Sequence, residues 1–156
     1  MKTNEQVAQA FARGDKAVGK NFYIGEDWQG NLTAYSYGSH FPVCTRKLMQ
    51  FDDAKKNTYI YLFNTATYSN TTARHQRLIK DAIKGHIVIN LFQCKEHQAR
   101  NELTKNKDSI DFLKDRIRKA RSPDVIEMYK KQIEEAKEQN SLIEEYILPY
   151  VVMDEL

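Results

Sequence analysis

Histidine is the side chain readiest to move protons near neutral pH. Two of the four histidines in this 156-residue chain sit in segments that invite such a role. His75 lies in YSNTTARHQRLIK (68–80), where small hydroxyl and amide side chains meet Arg74 and Arg77. His40 lies in YGSHFP (37–42), a turn-like segment between Gly38 and Pro42. Acting as an acid–base pair on a nucleic-acid substrate, the two would make a small nuclease. Nothing in their spacing requires them to meet.

A helical projection separates the chemistry of the first segment. With residues 71–84 at 100° per residue, His75, Leu78, Ile79, Ala82 and Ile83 fall on one side. Arg74, Arg77, Lys80 and Lys84 fall on the other, together with Asp81. This is an amphipathic helix with an apolar core face and a basic outer face, and His75 belongs to the core face. Ser69, Thr71 or Thr72 can cap its first amides. A helix start of this kind beside two arginines suits a phosphate or a carboxylate; the structural alternative is a capped, solvated surface helix. The candidate contact set for a partner or a nucleic acid is therefore Arg74, Arg77, Lys80 and Lys84, joined by Arg46, Lys47, His40 and Tyr37 from the strands and turn before the helix.

Other chemistries find less support. The potential metal ligands are Cys44, Cys94, His40, His86 and His97, with Cys94-x-x-His97 the nearest approach to a ligand pair. There is no CxxC, and the spacings match no zinc module, so no metal and no cofactor are expected and the two cysteines read as free thiols. The phosphate loop GxxxxGK[ST], GxGxxG, GxSxG and HExxH are all absent. Six of the nine tyrosines lie in residues 1–93. If the strands carrying Tyr35, Tyr37, Tyr59, Tyr61 and Phe63 pair with one another, a tyrosine-rich sheet surface results, fit to stack bases or to meet a protein. Packing beneath the helices is the alternative.

The elements that must position these residues follow from periodicity and punctuation. Residues 4–13 suit a short helix, with Asn4 as its cap and Gly14 as its stop. Residues 21–24, 31–37, 40–48, 58–63 and 86–92 suit strands, with Pro42 restricted to an edge or a strand start. Residues 51–57 are turn-like. From 95 to 121 there is no Gly or Pro, and Leu103, Ile110 and Ile117 recur every seven residues, with Leu113 beside them. Ser122-Pro123 breaks that helix and starts another, in which Ile126, Tyr129, Ile133, Ala136, Asn140, Ile143 and Ile147 alternate spacings of three and four. Asn140 is the polar member that would fix register. The expected fold is α+β: a small antiparallel-type sheet with two helices over 1–93, then an antiparallel helical hairpin (a coiled coil) over 94–148, about 35 Å long at ~1.5 Å per residue. Residues 149–156 form a tail in which YVVM (150–153) is a short strand or a docking segment.

The segments LTAYSYGSHFPVC and TYIYLFNTATYSNTTARHQRLIKDAI resemble a small module of phage and mobile-element proteins of unassigned function. Its pattern is Y-x-Y/S-x-x-x-x-P, a second strand, and then N-x-x-x-YS-x-TT-x-x-H-Q-x-x-I. The matching positions are Tyr35, Tyr37, His40, Phe41, Pro42, Asn64, Tyr68, Ser69, Thr71, Thr72, His75 and Gln76. The resemblance spans roughly residues 20–90, leaves out the hairpin and carries no catalytic residue. It implies a non-enzymatic antagonist of host defence, such as an anti-CRISPR inhibitor, whose partner is a host protein or protein–RNA complex.

Charge constrains that partner. The chain carries a net charge of +3. Residues 1–93 hold 12 Lys and Arg against 7 Asp and Glu, a net +5, and residues 94–156 hold 12 against 14, a net −2. A dense acidic mimic of DNA is disfavoured, and an acidic protein surface or a nucleoprotein fits better. No apolar run approaches the ~20 residues of a membrane span, and the first residues lack the apolar core of a signal peptide. A cytoplasmic protein is expected, with the hairpin available as a protein-binding arm or as a homo-oligomer contact.

Overall fold

The computed structural model describes residues 1–37, 41–49, 58–66 and 69–154, in two compact units, Met1–Phe92 and Gln93–Leu156. The chain is α+β. The first unit holds α1 (Asn4–Arg13), β1 (Ala17–Val18), β2 (Phe22–Glu26), β3 (Leu32–Ser36), β4 (Pro42–Met49), β5 (Thr58–Phe63), α2 (Asn70–Ala82) and β6 (Ile87–Ile89). The second holds α3 (Glu96–Lys119), α4 (Pro123–Tyr146) and α5 (Leu148–Asp154).

The six strands lie in the order of the sequence. β1 to β5 pair antiparallel, as successive strands on short connections do. β6 pairs parallel to β5, which the intervening α2 makes possible, because a parallel neighbour needs a crossover. The sheet is thus mostly antiparallel rather than wholly so. Pro42 occupies the first position of β4, an interior strand, where its missing N–H costs the ladder least.

α1 spans the expected residues but is capped one residue earlier than expected. Thr3, not Asn4, accepts from the amide of Gln6, and the Gln6 side chain bonds back to the Thr3 amide, a reciprocal capping box. Gly14 closes the helix at φ 82°, a left-handed conformation that glycine adopts without strain. Val7 and Phe11 of α1 and Ile79 and Ile83, from α2 and its C-cap, pack on Phe22, Ile24, Ala34, Cys44 and Phe63 of the sheet. Phe11 meets the Tyr61 ring edge-on at 5.6 Å.

Register places the tyrosines, and among the described residues those of β3 and β5 do not gather on one face of the sheet. β3 and β5 are not neighbours; each pairs with β4. Ala34 pairs with Cys44 and Cys44 with Phe63, so Tyr59, Tyr61 and Phe63 share the helix-covered face with Ala34. Tyr35, one residue on, faces the other way, where it stacks on its cross-strand partner Tyr23 at 5.0 Å. Tyr37 leaves the strand at φ 55°, and its ring stands 6.3 Å from that of His75.

In the second unit α3 and α4 are joined by residues 120–122 and pack against each other. Leu103, Ile110, Ile133 and Ile143 are buried. Asn140 is buried too: its amide oxygen accepts from Asn106 Nδ2 at 2.8 Å, and its Nδ2 donates to the Leu103 carbonyl at 3.4 Å. Residues 150–153 are not a strand but part of α5. Pro149 falls in the first turn of that helix, where no N–H is needed, so it ends α4 by starting the next helix.

Candidate functional site

α2 carries the site, and its first turn is built from the hydroxyls that precede it. Ser69 is extended at φ −153°, and its Oγ accepts from the Thr72 amide at 3.1 Å. The Ser69 hydroxyl donates to Thr72 Oγ1 at 3.1 Å, and Thr72 Oγ1 lies 3.5 Å from Ser36 Oγ on β3. The Ser69 and Thr72 hydroxyls are therefore engaged in the cap and its contact with β3.

His75 completes that buried cluster. Its Nδ1 lies 2.7 Å from Ser36 Oγ, and its ring stacks on Phe22 at 4.4 Å with 6° between the planes. A serine on a histidine nitrogen is also the geometry of an activated nucleophile. Here Ser36 is 0% and His75 1% exposed, so neither atom is open to a substrate from solvent. Burial pushes the imidazole below its ordinary value of 6.5, and the neighbouring Arg74 charge pushes the same way. The folded protein thus holds His75 neutral, while the unfolded chain takes up a proton as pH falls through 6.5. The unfolded state binds more protons in that window, so stability rises with pH there. The thermal midpoint is expected to hold steady above pH 6.5 and to fall as pH drops below it, and His75→Gln is expected to flatten that decline in a melting series across pH.

Arg74, Arg77 and Lys80 lie exposed on the opposite side of α2. Among the described residues no carboxylate forms an ion pair with any of the three. Lys80 Nζ stands 5.5 Å from the Phe63 ring centroid. Lys84 is exposed but lies beyond the end of the helix, so three basic residues rather than four share the helical face.

The remaining candidates are not gathered beside them. Arg46 lies on the helix-covered side of β4, with its guanidinium carbon 3.5 Å above the Tyr59 ring and its Nε buried without a hydrogen-bond partner among the described residues. A methyl group on Gly14 would meet Arg46 Nη1 at 2.5 Å, so this cation sits at the C-terminal end of α1, where the helix dipole favours it. Burial raises the Tyr61 phenol above its usual value, with Arg46 opposing. Arg46 is thus a packing cation. Lys47 alternates to the other face of the sheet. Tyr37 is half exposed beside His75. His40 lies outside the described residues.

Among the described residues no group of three or more His, Cys, Asp or Glu is placed to hold a metal. Cys44 is buried, and burial pushes its thiol well above the usual range.

Two features escape a motif-by-motif reading. Trp28, the sole tryptophan, is 89% exposed at a turn tied down by Asp27, whose Oδ1 accepts from the Gln29 and Asn31 amides. Five cations crowd residues 114–121: Lys114, Arg116, Arg118, Lys119 and Arg121. Only a scan for local charge runs reveals this group, because over residues 94–156 its cations are outnumbered, 12 bases against 14 acids.

No protein-family model, no curated protein and no solved structure matches the chain.

Proposed function

We propose that this chain is a non-catalytic binding protein that docks the exposed face of α2 on an acidic surface of a nucleoprotein or nuclease. One observation carries the proposal: Arg74, Arg77 and Lys80 stand exposed without an ion pair among the described residues, while His75 behind them is buried. A surface helix without a partner commonly pairs its cations at i, i+4, as Arg100 does with Glu96 at 3.0 Å on α3. Three bare cations on one face suit an external anion. The wider identification as a phage-type antagonist of host defence, of the anti-CRISPR kind, is supported by the YGSHFP and YSNTTARHQ resemblance. The net charge of +3 argues against DNA mimicry. In this reading α3 and α4 form a coiled-coil arm available to a second surface, and the protein works in the bacterial cytosol.

The same bare cations would also suit the phosphates of a free nucleic acid. A native gel separates the two at ~50 mM salt, where non-specific phosphate contacts are strong. Retention of a purified nuclease–guide RNA complex with no shift of a bare oligonucleotide is the expected result. A bare oligonucleotide shift that weakens steeply with salt would make direct nucleic-acid binding the function instead.

A further inference from the structure

We infer that the turn between α3 and α4 is a second binding site, one that takes the phosphate of a nucleotide. A surface cavity of about 220 Å³ opens there, lined by Arg116, Lys119, Arg121, Ser122, Val125 and Tyr129 among others. The inference does not depend on α2, and the whole site lies in one unit.

Charge carries it first. Of the five cations in 114–121, two are engaged by the only acid in the run: Asp115 pairs with Arg118 at 2.9 Å and Lys119 at 3.0 Å. Lys114, Arg116 and Arg121 have no acidic partner among the described residues. Helix ends explain part of this group, because cations in the last turn of α3 are favoured by its dipole. They do not explain Arg121. It stands past the end of α3 and just before α4, where the ends of two opposed dipoles meet and a cation gains nothing. Arg116 is also held in place, its guanidinium carbon 5.0 Å from the Phe112 ring centroid.

The cavity walls define the rest of the ligand. Ser122 precedes α4 at the capping position, yet its hydroxyl makes no capping bond, which leaves it to serve the cavity. Val125 and Tyr129 add an apolar wall, with Tyr129 half-buried and able to take a flat ring against it. Guanidinium groups bind phosphate through paired N–H donors, and aromatic side chains take bases by stacking. A phosphate joined to a planar heterocycle matches both halves, which is the chemistry of a nucleoside monophosphate. A free nucleotide and an unpaired nucleotide of a strand both supply it.

Calorimetric titration of the full chain with adenosine 5′-monophosphate tests the assignment. Wild type is expected to bind with a Kd in the range of about 1 mM or below, corresponding to ~4 kcal/mol or more. Arg116→Gln with Arg121→Gln is expected to weaken binding at least tenfold, with an unchanged circular dichroism spectrum because both side chains are exposed. Adenosine without phosphate is expected not to bind, and Arg74→Glu with Arg77→Glu to leave the titration unaltered. A short single-stranded oligonucleotide that binds more tightly than the mononucleotide, with the same loss in the Arg116/Arg121 variant, makes the source a strand. Equal or weaker binding makes it a free nucleotide, and both results support the site. No saturable heat with the mononucleotide, or equal heat in the Arg116/Arg121 variant, overturns it.

Discussion

His75→Ala is expected to destabilise the first unit by about 3–5 kcal/mol, the cost of removing a large buried ring. Two losses combine. The ring stacked on Phe22 leaves a void that the surrounding core closes only in part. The Ser36 hydroxyl, fully buried on β3, also loses its 2.7 Å partner. For a unit of this size each kcal/mol moves the thermal midpoint by about 4–8 °C, so the shift is large and easily read by circular dichroism. The two contributions separate by substitution. His75→Phe keeps a ring on Phe22 but leaves the Ser36 hydroxyl nearly stranded, with only its 3.5 Å contact to Thr72 Oγ1, costing about 1–3 kcal/mol. Adding Ser36→Ala removes the stranded group, and the double variant is expected to be more stable than His75→Phe alone. Near-wild-type stability of His75→Ala would show that the ring is not part of the core.

Charge reversal at Arg74 and Arg77 is expected to act on the other side of the helix, with the opposite profile. Both side chains are exposed and form no ion pair among the described residues, so Arg74→Glu with Arg77→Glu should leave the thermal midpoint within a few degrees of wild type. Binding to an acidic surface should fall by about 100-fold or more. Two unit charges 4 Å apart interact by about 1 kcal/mol in water and more near a protein surface, and each reversal replaces an attraction with a repulsion. Most of the loss should appear in the association rate and should shrink as salt is added, because steering at exposed charges is screened. A pull-down or surface-binding titration against a nuclease–guide RNA complex reads both effects.

These two profiles rest on what the sequence displays well and what it hides. A period of 3.6 divides YSNTTARHQRLIK into a core side and a basic side, and α2 follows that division because burying His75, Ile79 and Ile83 outweighs any local preference. Gly14, Pro123 and the long run without Gly or Pro announce helix ends through backbone rules that act locally. What depends on distant partners is not legible in this way. The Ser36–His75 bond spans 39 positions and has no local signature. Arg46 reads as a surface cation, but the pairing of β4 with β5 sets it over Tyr59 and beneath the end of α1. The tyrosines separate because faces are decided by register, and the extra residue near Val43 lets β4 bury that side chain while Tyr35 keeps to the opposite face. α5 was hidden for another reason: its Tyr-Val-Val segment favours a strand by composition, and only a helix start at Leu148–Pro149 overrides it.

In the function proposed above, the basic side of α2 binds and its histidine side only holds the fold. One titration tests it most directly: wild type, Arg74→Glu with Arg77→Glu, and Ser36→Ala with His75→Phe, each against the same nuclease–guide RNA complex at the same salt. The arginine variant is expected to lose binding while keeping its thermal midpoint, and the Ser36/His75 variant to keep binding at temperatures where it is folded. Binding retained by the folded arginine variant and lost by the folded Ser36/His75 variant would contradict it.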